Sequence, residues 1–399
     1  MQVLRLSLMR GVAHVDGEVP LIHRAWEKPD APISYPPKDQ DSRRRKCLKM
    51  NDTRLAAKTS GRDATFGLFL NVSGLLAPSH IEVFDLIVAE TELAERLGYY
   101  DVWVTEHHFI PFGINSSAIA LAAFLLGRTR RLRVGTAVTL APLYHPLHLA
   151  EQAAILDQTS HGRFDFGIGR GGYLRELEVF ARDIYRWDQE VHETIEVLLG
   201  AWTKDLVSSS NPYFPFEPVP ITPKPFTDPH PPLFVGSVTP AGIESAARNG
   251  LPLLHYWASP LEARLAAESQ YRKAGGDPEV RHVHSLIVVL CDDETDARQT
   301  LRHYLLELFR AGDWPHVPQA QKRHVDAKGN PLDREDLAGY VASQAIVGPP
   351  SAVIQQLRRF QQSNGASRFV VLMEALGQRQ PILRSIERFA LEVIPDMCV

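Results

Sequence analysis

From Thr65 onward, short runs rich in Val, Phe and Leu alternate with stretches whose apolar residues recur every three or four positions. The short runs predict strands over residues 66–72, 101–106, 133–140, 163–168, 233–238, 252–257, 284–290 and 368–372. Between them the helical period predicts helices over 81–97, 118–128, 147–158, 190–202, 241–249, 261–273, 294–309 and 353–363, with 382–393 closing the chain. Eight strand-then-helix units without a break in composition argue for one parallel sheet closed into an α/β fold of the (β/α)8 TIM-barrel type. An open doubly wound sheet would ask for a Gly-rich dinucleotide turn after the first strand, and Asn71-Val72-Ser73-Gly74-Leu75 does not supply it.

Two connections exceed the usual two to six residues. The Pro-rich stretch 204–232 reads as an extended ribbon over the barrel, and the polar stretch 312–333 reads as a lid over the rim where barrel enzymes keep their chemistry. Ahead of the barrel, residues 1–62 carry 13 Lys+Arg against 7 Asp+Glu, a net +6 inside a chain of net −4. This segment has clustered prolines, no aromatic interleaving and no amphipathic period. It therefore reads as a disordered or non-native leader rather than a nucleic-acid or membrane-binding arm, with the barrel occupying 63–399.

Composition adds exclusions. The longest apolar run, 118–126, is less than half of the ~20 residues that span a bilayer. Three isolated cysteines, Cys47, Cys291 and Cys398, argue against a disulfide framework and a thiolate metal site, so no metal is expected and the expected compartment is the reducing cytoplasm.

Candidate chemistry falls at predicted strand ends. Glu106-His107-His108-Phe109 follows the second strand, and Gly169-Arg170-Gly171-Gly172-Tyr173 follows the fourth. Adjacent residues on extended chain point to opposite faces, so His107 and His108 do not readily serve one site; the pair alone is as consistent with a structural role. The Gly-Arg-Gly-Gly stretch lets backbone approach a flat ligand while Arg170 offers a fork to phosphate, although a tight turn with a surface Arg would read the same. After the fifth strand, Gly236-Ser237-Val238-Thr239-Pro240 begins a helix with Thr239 as N-cap and Pro240 at the first helical position, an arrangement that receives anions. Such a site near Arg170 suits a phosphorylated cofactor.

These blocks carry a resemblance. Glu106-His107-His108-Phe109 with Phe112-Gly113, Val134-Gly135-Thr136-Ala137, His145-Pro146, Leu156-Asp157-Gln158 and the run 162–171 occur in the order seen in the bacterial luciferase-like flavin-dependent monooxygenases. The chain resembles the luciferase α subunits in particular, from Thr65 to Met397. The resemblance implies a (β/α)8 barrel and a two-component enzyme: a separate flavin reductase supplies reduced FMN, oxygen adds at the flavin C4a carbon, and the resulting peroxide oxidises a small organic substrate. It implies His107 as the catalytic residue and Arg170 and Thr239 as phosphate-binding positions. It further implies a non-prolyl cis peptide at Ala137-Val138 under the flavin ring, with Glu106, Gly169, Tyr173 and Val238 also near the cofactor. His108, Phe109, Phe112 and Trp257 would line the substrate pocket. A homodimer through the second and third helices is expected, with Ala118, Ala120, Ala122, Ala123, Ala150, Ala153 and Ala154 permitting close packing. Two departures stand out: Gly169 replaces a reactive cysteine, and Asp188 replaces a second phosphate-binding arginine, with Arg186 two residues earlier. The alternatives are a deazaflavin-dependent hydride-transfer enzyme of the same superfamily and a non-catalytic subunit like the luciferase β chain.

Overall fold

The computed structural model describes residues 64–183, 185–312 and 332–397. The expected leader at 1–62 and nearly all of the expected lid at 312–333 lie outside the described residues.

Twelve strands are described: β1 (Thr65–Leu70), β2 (Asp101–Val104), β3 (Arg133–Thr136), β4 (Thr139–Leu140), β5 (Phe164–Gly169), β6 (Val207–Ser209), β7 (Phe216–Val219), β8 (Leu233–Gly236), β9 (Leu254–His255), β10 (Val283–Leu290), β11 (Ile346–Gly348) and β12 (Arg368–Leu372). Parallel ladders join β1 to β2, β2 to β3, β3 to β5 and β5 to β8; a bridge from Val235 to Leu253 leads on to β9, and β10 and β12 return the sheet to β1. The sheet is thus closed, and its eight staves are the eight runs expected from the apolar pattern. The fold is a (β/α)8 barrel.

Three expectations shift. The run 133–140 is divided, because the backbone breaks from β3 at a cis Ala137–Val138 peptide and resumes as β4, which pairs with β5 higher up. The run 252–257 shortens to two residues. The stretch 204–232, expected as an extended ribbon, contains an antiparallel hairpin, β6 with β7. Its strands are mostly exposed, so they lack the apolar alternation that would have announced them. The short β11 was not anticipated either; it pairs in parallel with the C-terminal residues of β10, Val288 to Leu290.

Charge closes the N-terminal end of the barrel. Asp101, Arg133, Asp165 and Arg368 start or nearly start β2, β3, β5 and β12, and their side chains meet inside. Arg368 reaches Asp101 at 2.7 Å and Asp165 at 2.6 Å, while Arg133 pairs with Asp165. Two positive and two negative groups balance, which is the condition for burying them at all. Against burial, Arg133 and Arg368 hold the Asp165 carboxyl below its ordinary range. With this end plugged and Trp103 and Phe234 packed against Arg368, the open end is the C-terminal rim. Among the described residues, no helix is long and apolar enough to cross a membrane.

Candidate active site

A cavity of about 190 Å³ opens at the C-terminal rim. Its wall takes residues from the ends of six staves. Glu106, His107, Phe112, Ala137, Val138, Arg170, Tyr173, Val238 and Trp257 all contribute to it, so most of the expected site residues converge.

His107 leaves β2 where the chain turns back on itself. Its amide donates to the Asn115 carbonyl at 2.9 Å, and the returning loop passes so close that a Cβ on Gly113 would lie 2.6 Å from His107 Cδ2. Only glycine leaves room for the ring. The imidazole stands edge-on to Phe112 and Tyr173, at 5.0 and 5.8 Å between centroids. Glu176 Oε1 lies 3.9 Å from His107 Nδ1 and accepts a hydrogen bond from the His108 amide at 3.0 Å. Burial pushes the Glu176 carboxyl up to about 7, with the His108 amide opposing. Sequence reasoning missed this residue. It sits in the short helix Leu174–Val179, one acid among several in a charged stretch, and nothing in the pattern marked it as buried.

Glu106 has a structural task. Its Oε1 accepts from the Leu140 amide at 3.2 Å and the Tyr144 hydroxyl at 3.0 Å, and Oε2 accepts from the amide of Ala118, the first residue of helix Ala118–Arg128. One buried carboxylate thereby ties together the end of β2, the end of β4 and a helix N-terminus, where negative charge is favoured. It lines the cavity, but its oxygens are engaged by protein.

His108 and Phe109, expected in the substrate pocket, are not on the cavity wall. The His108 ring packs edge-on to Phe180 at 5.0 Å and beside Phe109, with Nε2 3.7 Å from Glu106. Phe109 is half exposed with φ of 65°.

Across the cavity, Val138 of the cis peptide projects between β5 and β8. A Cβ on Gly169 would meet Val138 Cγ2 at 2.6 Å, and one on Gly236 would meet Cγ1 at 2.8 Å, so both glycines make space for this valine. The absence of a side chain at Gly169 thus has a packing reason. Arg170 is only 5% exposed, and its guanidinium lies 3.9 Å from the centroid of Trp187. Stacking on the indole holds the guanidinium in place. Thr239 caps helix Pro240–Arg248, accepting from the Gly242 amide, beside the lining residues Ser237 and Val238. Arg186 is directed elsewhere: it pairs with Glu193 at 2.6 Å and lies over the Tyr213 ring. Trp257 stacks parallel to Phe309 and extends the aromatic wall.

The lining also includes Asn71, His255 and Ser285, which sequence reasoning passed over. A signal existed, since His255 and Ser285 interrupt otherwise apolar strands, and a buried polar residue is more informative than an exposed apolar one.

A closed barrel, a plugged bottom and an aromatic rim cavity bearing His107, His255 and a stacked arginine are the architecture of a barrel enzyme with its site at the C-terminal rim. Residues 64–367 match the model of the luciferase-like monooxygenase family, and the chain belongs to that family. It is similar to the alkanal monooxygenase alpha chain of Photorhabdus luminescens, 27% identical over 83% of this chain and 96% of that one. It is also similar to the oxygenase component of the flavin-dependent trigonelline monooxygenase of Acinetobacter baylyi, 25% identical over 79% of this chain and 90% of that one. Among solved structures, monooxygenase RslO1 from Streptomyces bottropensis superposes with a TM-score of 0.71 at 26% identity, covering 83% of this chain and 99% of that one. The protein is therefore an enzyme of the flavin-dependent, luciferase-like monooxygenase class.

Proposed function

We propose that this protein is the oxygenase half of a two-component system that takes reduced FMN from a separate reductase and inserts one atom of O2 into a small organic substrate. The supporting observation is the placement of His107, with Glu176 3.9 Å behind it, on the same cavity as the Trp187-stacked Arg170. The residues suit FMN. Val138 projects from the cis peptide into a gap cleared by two glycines, the Gly171-Gly172 backbone lines the cavity, and Arg170 with the Thr239-capped helix end supplies positive potential for a phosphate. Bound reduced flavin would supply the electrons that activate oxygen.

The chain's own groups do the rest. Phe112, Tyr173 and Trp257 exclude water from the reacting face. His107 holds a proton at the edge of the cavity, and Glu176, with a carboxyl near neutrality, exchanges one with the Nδ1 side of that ring. We expect His107→Ala to retain the fold and FMN affinity and to lose turnover by 100-fold or more. The test is an aerobic assay with chemically reduced FMN and isotopically labelled oxygen, read by product mass spectrometry. Product carrying one labelled oxygen atom supports the reading; substrate turnover that proceeds equally without oxygen would instead favour hydride transfer to a deazaflavin.

A further inference from the structure

Behind the cavity wall formed by His255 and Ser285 lies a second polar cluster that the flavin reading does not use. Glu268 Oε1 is 3.2 Å from His255 Nε2 and 3.6 Å from His284 Nε2, and all three side chains are buried. Arg264 stands one helical turn before Glu268, also buried, with Nε on the Ser259 carbonyl and Nη2 on the Tyr256 and Ser285 carbonyls. His282 packs its ring 6.0 Å from His255 and accepts from the Leu253 amide. The cluster joins β9, β10 and helix Leu261–Lys273 directly beneath the cavity.

Two imidazole nitrogens and a carboxylate oxygen within 4.8 Å of one another have the spacing of a metal site. Charge argues against a cation. Glu268 is the only acid in the cluster and Arg264 already balances it, so a divalent ion would leave two uncompensated positive charges in the core. The ring nitrogen His284 Nδ1 makes no hydrogen bond, whereas metal-bound histidines almost always anchor that second nitrogen.

The arrangement instead sets a tautomer. Glu268 Oε1 lies 3.2 Å from Nε2 without the alignment of a hydrogen bond, and its charge favours the proton on that nitrogen, which leaves Nδ1, the other ring nitrogen of His255, as a hydrogen-bond acceptor for a ligand. Burial, reinforced by Arg264, lowers the His255 imidazole to about 3, so the ring is neutral. Ser285 shares this stretch of wall, is fully buried, and its Oγ has no hydrogen-bond partner. An acceptor beside a hydroxyl that both donates and accepts is complementary to another hydroxyl. A phenol O–H donates to the imidazole while its oxygen accepts from Ser285. A saturated aldehyde has no donor and would leave the imidazole unpaired, at the cost of a buried unsatisfied acceptor.

We propose that His255, positioned by Glu268, forms with Ser285 a subsite that binds the hydroxyl of a hydroxylated aromatic substrate, the rest of which lies against Phe69, Tyr256 and Trp257. The proposal rests on the monooxygenase reading for the use of the cavity, and names its substrate class.

The test is calorimetric titration of the full-length protein, with and without FMN, using 1-naphthol, 1-methoxynaphthalene and decanal as probes. Naphthol is expected to bind at least tenfold more tightly than its methyl ether, which retains the ring and oxygen but not the donor. In His255→Leu that ratio should fall to near one, and in Glu268→Gln it should fall partway with the melting temperature retained. Should the leucine variant fail to fold, Glu268→Gln and Ser285→Ala decide the matter by the same ratio. Equal affinity for naphthol and ether in the wild type, tighter binding of decanal, or an unchanged ratio in the variants overturns the subsite. Stoichiometric zinc retained by the wild type and lost in His284→Leu overturns it by making the cluster a metal centre. The ratio needs no turnover. A failed oxygenation assay with the ratio intact would therefore count against the monooxygenase reading alone.

Discussion

Glu176→Gln tests the electrostatics of the candidate active site most directly. The side chain is almost wholly buried, and its carboxyl is raised from an ordinary 4.5 to about 7, chiefly by loss of solvation. A raised acid binds its proton more tightly in the folded state. The wild type therefore incurs no penalty below the ordinary carboxyl range, loses stability as pH climbs toward 7, and carries a constant penalty above it. At 1.36 kcal/mol per pH unit, the rise from 4.5 to about 7 corresponds to about 3 kcal/mol at full ionisation. Glutamine keeps Oε1 as an acceptor for the His108 amide, so the bond at 3.0 Å survives while the titration disappears. Melting temperature measured between about pH 5 and pH 9 should fall for the wild type by roughly 3–6 °C more than for Glu176→Gln, the two curves converging at the acid end. The same substitution should remove the limb near neutrality from the pH–rate profile, since the group next to His107 Nδ1 no longer exchanges a proton. Parallel melting curves across the whole range would refute the claim that this carboxyl is desolvated, and the proton partner of His107 would have to be sought elsewhere.

Three further outcomes are expected. Arg170→Ala should weaken reduced FMN by tenfold or more and riboflavin far less, because the fork acts through the phosphate; fluorescence titration of both ligands checks this, and equal losses would assign Arg170 to the ring or to folding. Gly169→Cys should destabilise the protein by about 1–3 kcal/mol, as its Cβ meets Val138 Cγ2 at 2.6 Å, and Val138→Ala should restore much of the loss in a double-mutant cycle. Of the alanines expected at a dimer contact, Ala118, Ala122, Ala150, Ala153 and Ala154 are buried within the chain's own barrel, whereas Ala120 and Ala123 are exposed, on outward faces that also present Phe124, 54% exposed, and Ile155, 46% exposed. If a homodimer forms there, Phe124→Asp with Ile155→Asp should convert it to monomer by light scattering, and a wild-type monomer at micromolar concentration would contradict the assembly.

Much of this protein is written in local order. Apolar runs bounded by helical periods marked all eight staves, because burial on both faces of a parallel strand leaves a near-continuous hydrophobic signature that neighbours in sequence already display. The ordered blocks around His107, Val138 and Arg170 were legible for a related reason, since each lies at a stave's end, where a barrel collects its chemistry. What local order does not encode is which side chains meet once the sheet closes. Glu106 looks like a partner of the adjacent histidines, yet its oxygens bind Leu140, Tyr144 and Ala118, groups 12 to 38 residues away. Glu176 reaches His107 across 69 positions, and His255, Glu268 and His284 gather from two staves and a helix. Hydrophobic periodicity reports whether a residue is buried; the partner of a buried charge is decided by the register and closure of the barrel, and only the tertiary structure holds that information.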